Sequence, residues 1–62
     1  MNDEIDLPSL ESYIFFIKES QRLIKEMRTA IDEERYDDAL ELNNKFLFNV
    51  SRAEREKHKA LD

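Results

Sequence analysis

Apolar residues recur at steps of three and four through the first half of the chain, the spacing of one face of an α-helix. Asp6, Pro8 and Ser9 precede this pattern and supply a capping side chain and a proline in the first turn, where no amide partner is needed. The sequence therefore predicts a helix over residues 8–32, after a flexible acidic leader over residues 1–7. The apolar stripe comprises Leu10, Tyr13, Ile14, Ile17, Ile24, Met27 and Ile31, widened on one flank by Phe16, Leu23 and Ala30.

A second apolar stripe begins after the charged residues 32–35. Asp37 and Asp38 lie in its first turn and Lys57 and Lys59 near its end, the polarity that the helix dipole favours. This pattern predicts a second helix over residues 36–58. One continuous helix is the alternative, because no glycine or proline marks the break. The second stripe comprises Tyr36, Ala39, Leu40, Leu42, Phe46, Leu47, Val50 and Ala53.

The predicted fold class is all-α, with one domain over residues 8–60 formed by an antiparallel hairpin of the two helices. A turn at Glu33 and Glu34 makes the stripes face each other, with the pairs Met27 and Leu40, Ile24 and Asn43, Ile17 and Val50, and Ile14 and Ala53. It also brings the acidic residues Asp3, Glu4, Asp6 and Glu11 beside the basic residues Arg52, Arg55, Lys57 and Lys59. Two such helices leave part of each apolar arc uncovered, and a second hairpin would cover it in a four-helix bundle. We therefore expect a homodimer.

Composition narrows the function classes. The chain has 62 residues, no cysteine, no glycine and one histidine. A core this small gains from association with another chain, and a disulfide, a thiolate metal site and a Gly-rich phosphate loop are excluded. His58 lacks a nucleophile partner, and the carboxylates near the turn lack the spacing of a calcium loop. We expect no catalytic residue, metal, cofactor or small-molecule substrate.

Charge and hydropathy bear on location. The formal net charge of −5 disfavours nonspecific binding to nucleic acid and to anionic membranes. The first residues are acidic and are not followed by an apolar signal segment, and the longest apolar run, residues 13–17, is too short to span a bilayer. We therefore expect a cytoplasmic protein with no membrane partner.

Several residues on or beside the stripes are candidates for contact with another protein. Ser20 falls within the first stripe, where a small side chain permits the close approach of a helix. Phe48 lies on the polar face of the second helix and Phe15 at the polar edge of the first, which indicates a contact surface; the alternative is two singly exposed aromatic residues. The predicted interface residues are Tyr13, Phe15, Phe16, Ser20, Leu23, Leu42, Phe46 and Phe48.

A cationic stripe marks one side of the first helix, where Lys18, Gln21, Arg22 and Lys25 project with Phe15 alongside. Cations for phosphates and a ring for base stacking are what an RNA-binding face requires. The alternative is a solvated flank, neutralised by the nearby carboxylates of Glu11, Glu19 and Glu26.

Hydrophobic and small residues follow a defined order between residues 23 and 46, namely Leu23, Met27, Ala30, Tyr36, Ala39, Leu42 and Phe46. In this order the segment resembles the UVR motif, a short helical hairpin of excision-repair nuclease subunits and of activators of bacterial protein-arginine kinases. Asn43 and Asn44 stand where that family usually carries an arginine–aspartate pair. The resemblance implies a hairpin that contacts proteins and pairs with another copy.

The length and layout, with Phe15, Lys18, Gln21, Arg22 and Lys25 on the first helix, are also similar to the Rop family. Rop proteins are plasmid-encoded hairpins that dimerise into a four-helix bundle and bind paired RNA loops. We expect a non-enzymatic protein–protein interaction module: a regulator, antagonist or chaperone-like adaptor whose partners are a second copy and another protein. A Rop-like dimeric RNA-binding regulator is the alternative.

Overall fold

The computed structural model describes residues 5–61 as two long helices joined by a tight turn. Helix α1 comprises Leu7–Asp32 and helix α2 comprises Tyr36–Leu61. The helices pack against each other as a hairpin, which confirms the predicted all-α fold and rules out one continuous helix. Helix α2 extends to Leu61, beyond the predicted end at residue 58. Residues 1–4, which make up most of the predicted leader, and residue 62 lie outside the described part of the chain.

The start of α1 is fastened locally and to the end of α2. Pro8 lies in the first turn, where its fixed φ suits a helix. The Asp6 carboxylate accepts a hydrogen bond from the Ser9 hydroxyl at 2.9 Å and caps no backbone amide, so the predicted capping bond is not formed. The Asp6 amide donates to the carbonyl of Ala60 at 3.3 Å. That bond joins the beginning of the hairpin to its last turn.

The turn between the helices is closed by backbone hydrogen bonds at the end of α1. The Arg35 amide donates to the Ala30 carbonyl at 2.7 Å, and the Glu34 amide donates to the Ile31 carbonyl at 3.0 Å. These two bonds form a Schellman motif, which requires one residue in the left-handed region. Glu34 fills that position with φ 60°. The turn therefore forms without glycine, although a Cβ in this region costs about 1–2 kcal/mol.

Replacing Glu34 with glycine is expected to stabilise the hairpin by about 1 kcal/mol, because glycine adopts φ 60° without the steric cost of a Cβ. Urea unfolding followed by circular dichroism, at one fixed chain concentration, measures the change. Glu34→Ala is the matched control, since it removes the same carboxylate and keeps the Cβ. Equal stabilisation by glycine and alanine would assign the effect to charge and contradict this explanation.

The contact between the helices is built largely from small side chains. A seven-residue repeat runs through it on both helices, and we call these positions the seam: Ser9, Phe16, Leu23 and Ala30 on α1, and Ala39, Phe46, Ala53 and Ala60 on α2. Leu23 is the one large residue among the buried residues of the described chain; the others are Ser9, Ser20, Ala30, Ala39, Ala53 and Ala60. The buried Ser20 hydroxyl is satisfied by donation to the Phe16 carbonyl at 2.8 Å. Small side chains allow the helix backbones to approach closely, at the cost of a core with little large apolar content.

The predicted rotation of α1 was wrong, whereas Ala39, Phe46 and Ala53 of the predicted second stripe do lie at the seam. The positions predicted to widen the first stripe, Phe16, Leu23 and Ala30, lie at the seam instead. Ile14 and Val50, which were predicted to face the other helix, are 43% and 39% exposed. The small residues explain the difference, because they fit between two closely packed helices where isoleucine and valine side chains would hold them apart.

The predicted ion pairs between the helices were also wrong where the structure describes them. All ion pairs within residues 5–61 join residues two to four positions apart: Arg22 with Glu19 and Glu26, Arg35 with Glu33 and Asp38, Lys57 with Glu54, and Lys59 with Glu56. Asp3 and Glu4 lie outside the described residues. Exposed pairs of this kind contribute roughly 0.2–1 kcal/mol each. The seam, and not charge pairing across the hairpin, therefore sets the register.

Candidate interaction surfaces

Most residues that directly follow a seam residue are aliphatic. One residue turns an α-helix by about 100°, so these side chains lie to one side of the seam. Because the helices are antiparallel, a step of one residue towards the C-terminus leads to the same side of the hairpin on both helices. We call this surface the aliphatic face; it comprises Leu10, Ile14, Ile17, Ile24 and Ile31 of α1 and Tyr36, Leu40, Leu47, Val50 and Leu61 of α2.

The aliphatic face carries more large apolar side chains than the seam does. Leu40 is 65% exposed, Leu47 54% and Ile31 50%, whereas the seam buries mainly alanine and serine. Gln21 interrupts the face on α1 and Asn43 on α2. An apolar surface that extends along two helices in this way, and is not made of scattered single residues, is typical of a contact surface.

The opposite side of the hairpin carries aromatic and cationic residues. Phe15, Arg22, Lys45 and Arg52 each directly precede a seam residue, so they are rotated the other way, and Phe48 lies beside them. We call these five residues the aromatic–cationic face. The Arg52 guanidinium carbon lies 5.7 Å from the ring centroid of Phe16 and 5.4 Å from that of Phe48. Cation–π contacts at these distances attract the guanidinium to the two rings.

A shallow cleft of about 310 Å³ opens on this side of the hairpin. Leu23, which is almost fully buried, and the exposed Phe48 are the apolar residues of the lining, and the others are polar or charged. The cleft residues are Glu19, Arg22, Leu23, Asn44, Lys45, Phe48 and Asn49.

The charged residues on the α1 side of the cleft form ion pairs, and those on the α2 side do not within the described chain. Arg22 donates to Glu19 at 2.9 and 3.0 Å and also bonds Glu26. The hydrogen bond from Arg22 lowers the pKa of the Glu19 carboxyl below its ordinary value. Lys45 and Arg52 take part in none of the ion pairs formed within residues 5–61. The α2 side of the cleft is therefore cationic, while the α1 side is internally neutralised.

The structure separates the predicted interface residues into three groups. Phe15 and Phe48 are 58% and 60% exposed on the aromatic–cationic side. Ser20 and Leu23 are buried between the two helices, so neither is free to contact another protein. The other four are partly buried: Tyr13, Phe16, Leu42 and Phe46. Sequence reasoning placed the aliphatic face in the contact between the two helices. The small residues Ser9, Ala30 and Ala39, each one position before an aliphatic residue, were the signal that this face is rotated away from the contact.

The predicted RNA-binding residues remain together on the outer side of α1. Lys18, Gln21, Arg22 and Lys25 are all exposed. Arg22 is engaged by two glutamates, while Lys18 and Lys25 take part in none of the ion pairs described for residues 5–61. Two of the four side chains therefore present cationic groups directly to solvent.

Within residues 5–61, neither helix has a segment of the length and apolarity needed to cross a membrane.

No protein-family model, curated protein or solved structure significantly matches this chain.

Proposed function

We propose that this protein is a non-enzymatic protein–protein interaction module that associates with a second copy through its aliphatic face. The observation that supports this most strongly is the distribution of side chains. Six of the seven buried residues of the described chain are alanine or serine, whereas Ile14, Ile31, Leu40 and Leu47 are 43–65% exposed. Burial of apolar area is the main favourable contribution to folding, at about 25 cal/mol per Å². A hairpin with this arrangement gains most of its available apolar burial only when another chain covers the aliphatic face.

A second copy fits the aliphatic face in shape and chemistry. Two such faces placed together give a four-helix bundle, in which each helix has apolar neighbours on two sides. The self-pairing implied by the resemblance to the UVR motif agrees with this arrangement. Gln21 and Asn43 would lie within the joined faces, where polar residues select one register over others.

Sedimentation velocity of the purified chain tests the proposal. We expect a dimer at micromolar concentration, with thermal unfolding that shifts to higher temperature as chain concentration rises, because association adds to stability by mass action. A folded monomer whose unfolding is independent of concentration would contradict it. In that dimer the aromatic–cationic faces point outward, where a regulator, antagonist or chaperone-like adaptor would meet its partner.

A dimeric RNA-binding regulator is the second candidate, supported by the exposed cations Lys18 and Lys25. If it is correct, replacing both with glutamine should weaken binding to a pair of complementary RNA stem-loops in low salt. The slope of log affinity against log salt should fall by about two, one for each lost phosphate contact. Lys59→Gln serves as the control, since Lys59 is exposed near the end of α2. Absence of binding by the unmodified protein would eliminate this candidate.

A further inference from the structure

The cleft on the aromatic–cationic face has the charge opposite to that of the chain as a whole. The protein has a formal net charge of −5, yet residues 42–53 of α2 contain no aspartate or glutamate and do contain Lys45 and Arg52. On the α1 side, Glu19 is hydrogen-bonded to Arg22, which reduces its ability to repel an anion. The local field at the α2 edge of the cleft therefore attracts carboxylates.

We infer that this cleft binds an acidic amphipathic helix of a partner protein. The inference rests on the proposed function in treating the chain as an interaction module, and it names the chemistry of the foreign partner. Phe48 would contact one apolar side chain of that helix, because it lines the cleft and is 60% exposed. Lys45 and Arg52 would bind carboxylates on either side of that apolar contact.

The spacing of the two cations predicts a pattern in the partner. Lys45 and Arg52 are seven residues apart on α2 and lie on the same side of it, a separation of about 10.5 Å at the rise of an α-helix. A partner helix lying along α2 would match it with carboxylates seven residues apart and an apolar residue three or four positions after the first. The contacts of Arg52 with Phe16 and Phe48 favour one position of its guanidinium before binding, which reduces the entropy lost on association.

Selection from a display library of random twenty-residue peptides tests the inference on the full-length protein. We expect enriched peptides that are acidic, carry the seven-residue carboxylate spacing and bind more weakly as salt is raised. For a synthesised peptide of that pattern, Lys45→Glu should weaken binding by about tenfold, the effect of losing one partly exposed ion pair and adding repulsion. Lys59→Gln, on the same helix but distant from the cleft, should leave binding unchanged.

Three outcomes would overturn the inference: no enriched peptide, enriched peptides without the acidic pattern, or binding that Lys45→Glu does not alter. Sedimentation of the same samples reports self-association through the opposite side of the hairpin. A dimer that captures no acidic peptide would refute the cleft inference alone. A monomer that captures acidic peptides would refute self-association and leave the cleft inference standing.

Discussion

Replacing Leu47 with glutamate is expected to abolish self-association and to unfold the hairpin at micromolar concentration. Leu47 is 54% exposed in the hairpin and lies near the middle of the aliphatic face. In a bundle its side chain would become buried, a change that contributes about 1.5–3 kcal/mol for each copy. An unpaired carboxylate in that position adds a cost of several kcal/mol. Two substituted chains in each dimer should therefore raise the dissociation constant by about 10⁴-fold.

Phe48→Glu is the matched control for Leu47→Glu. Phe48 is the next residue in the chain, is exposed to a similar extent at 60%, and lies on the opposite side of the hairpin. In an isolated hairpin the two substitutions should differ little, because both replace a largely exposed apolar side chain. Sedimentation velocity and circular dichroism of both variants decide the question. Equal behaviour of the two variants would mean that nothing covers the aliphatic face.

The fold could be predicted from the sequence because its main signals are local. Steps of three and four between apolar residues, such as Ile14, Ile17 and Ile24, identify a helix irrespective of which side is buried. The opposite charges near the two ends of α2, for example Asp37 and Lys59, indicated a separate second helix. The turn itself carried no such signal, because the position with φ 60° is occupied by Glu34 and not by glycine.

The rotation of each helix about its axis could not be predicted from apolar periodicity alone. The seam and the aliphatic face both repeat every seven residues. Leu23 belongs to the seam and Ile24 to the aliphatic face, and apolar periodicity alone does not distinguish which stripe is buried. The choice between them depends on how closely the helices pack, which Ser20, Ala30 and Ala53 determine through their small volume. Hydrophobicity ranks alanine and serine below isoleucine, so the seam residues of α1 were interpreted as the flank of the apolar stripe. Of the two stripes, one forms the contact within the chain, and the other is the stripe that we propose contacts a second copy.

Replacing a seam residue with a larger one should have the second largest effect, a loss of stability. Ala53 is 2% exposed between the helices, opposite the region of Phe16. Replacing it with leucine would add three carbon atoms where the helices are in close contact. Overpacking of this kind costs about 1–3 kcal/mol, a large share of the stability available to a chain of this size. Urea unfolding at one fixed chain concentration should show a lower midpoint, with the slope of the transition unchanged.

Arg55→Leu is the control for Ala53→Leu, because Arg55 is exposed on the same turn of α2, seven residues after Phe48 and away from the aliphatic face. We expect its unfolding midpoint to stay close to that of the unmodified chain. Ala53→Leu should also change the separation of the helices, which cross-linking of paired cysteines introduced on the aromatic–cationic side would detect. If Ala53→Leu were as stable as the unmodified protein, alanine would not be required at the seam. The isoleucine stripe could then have faced the other helix. Close packing of the helices would no longer explain why the aliphatic face is uncovered in the hairpin.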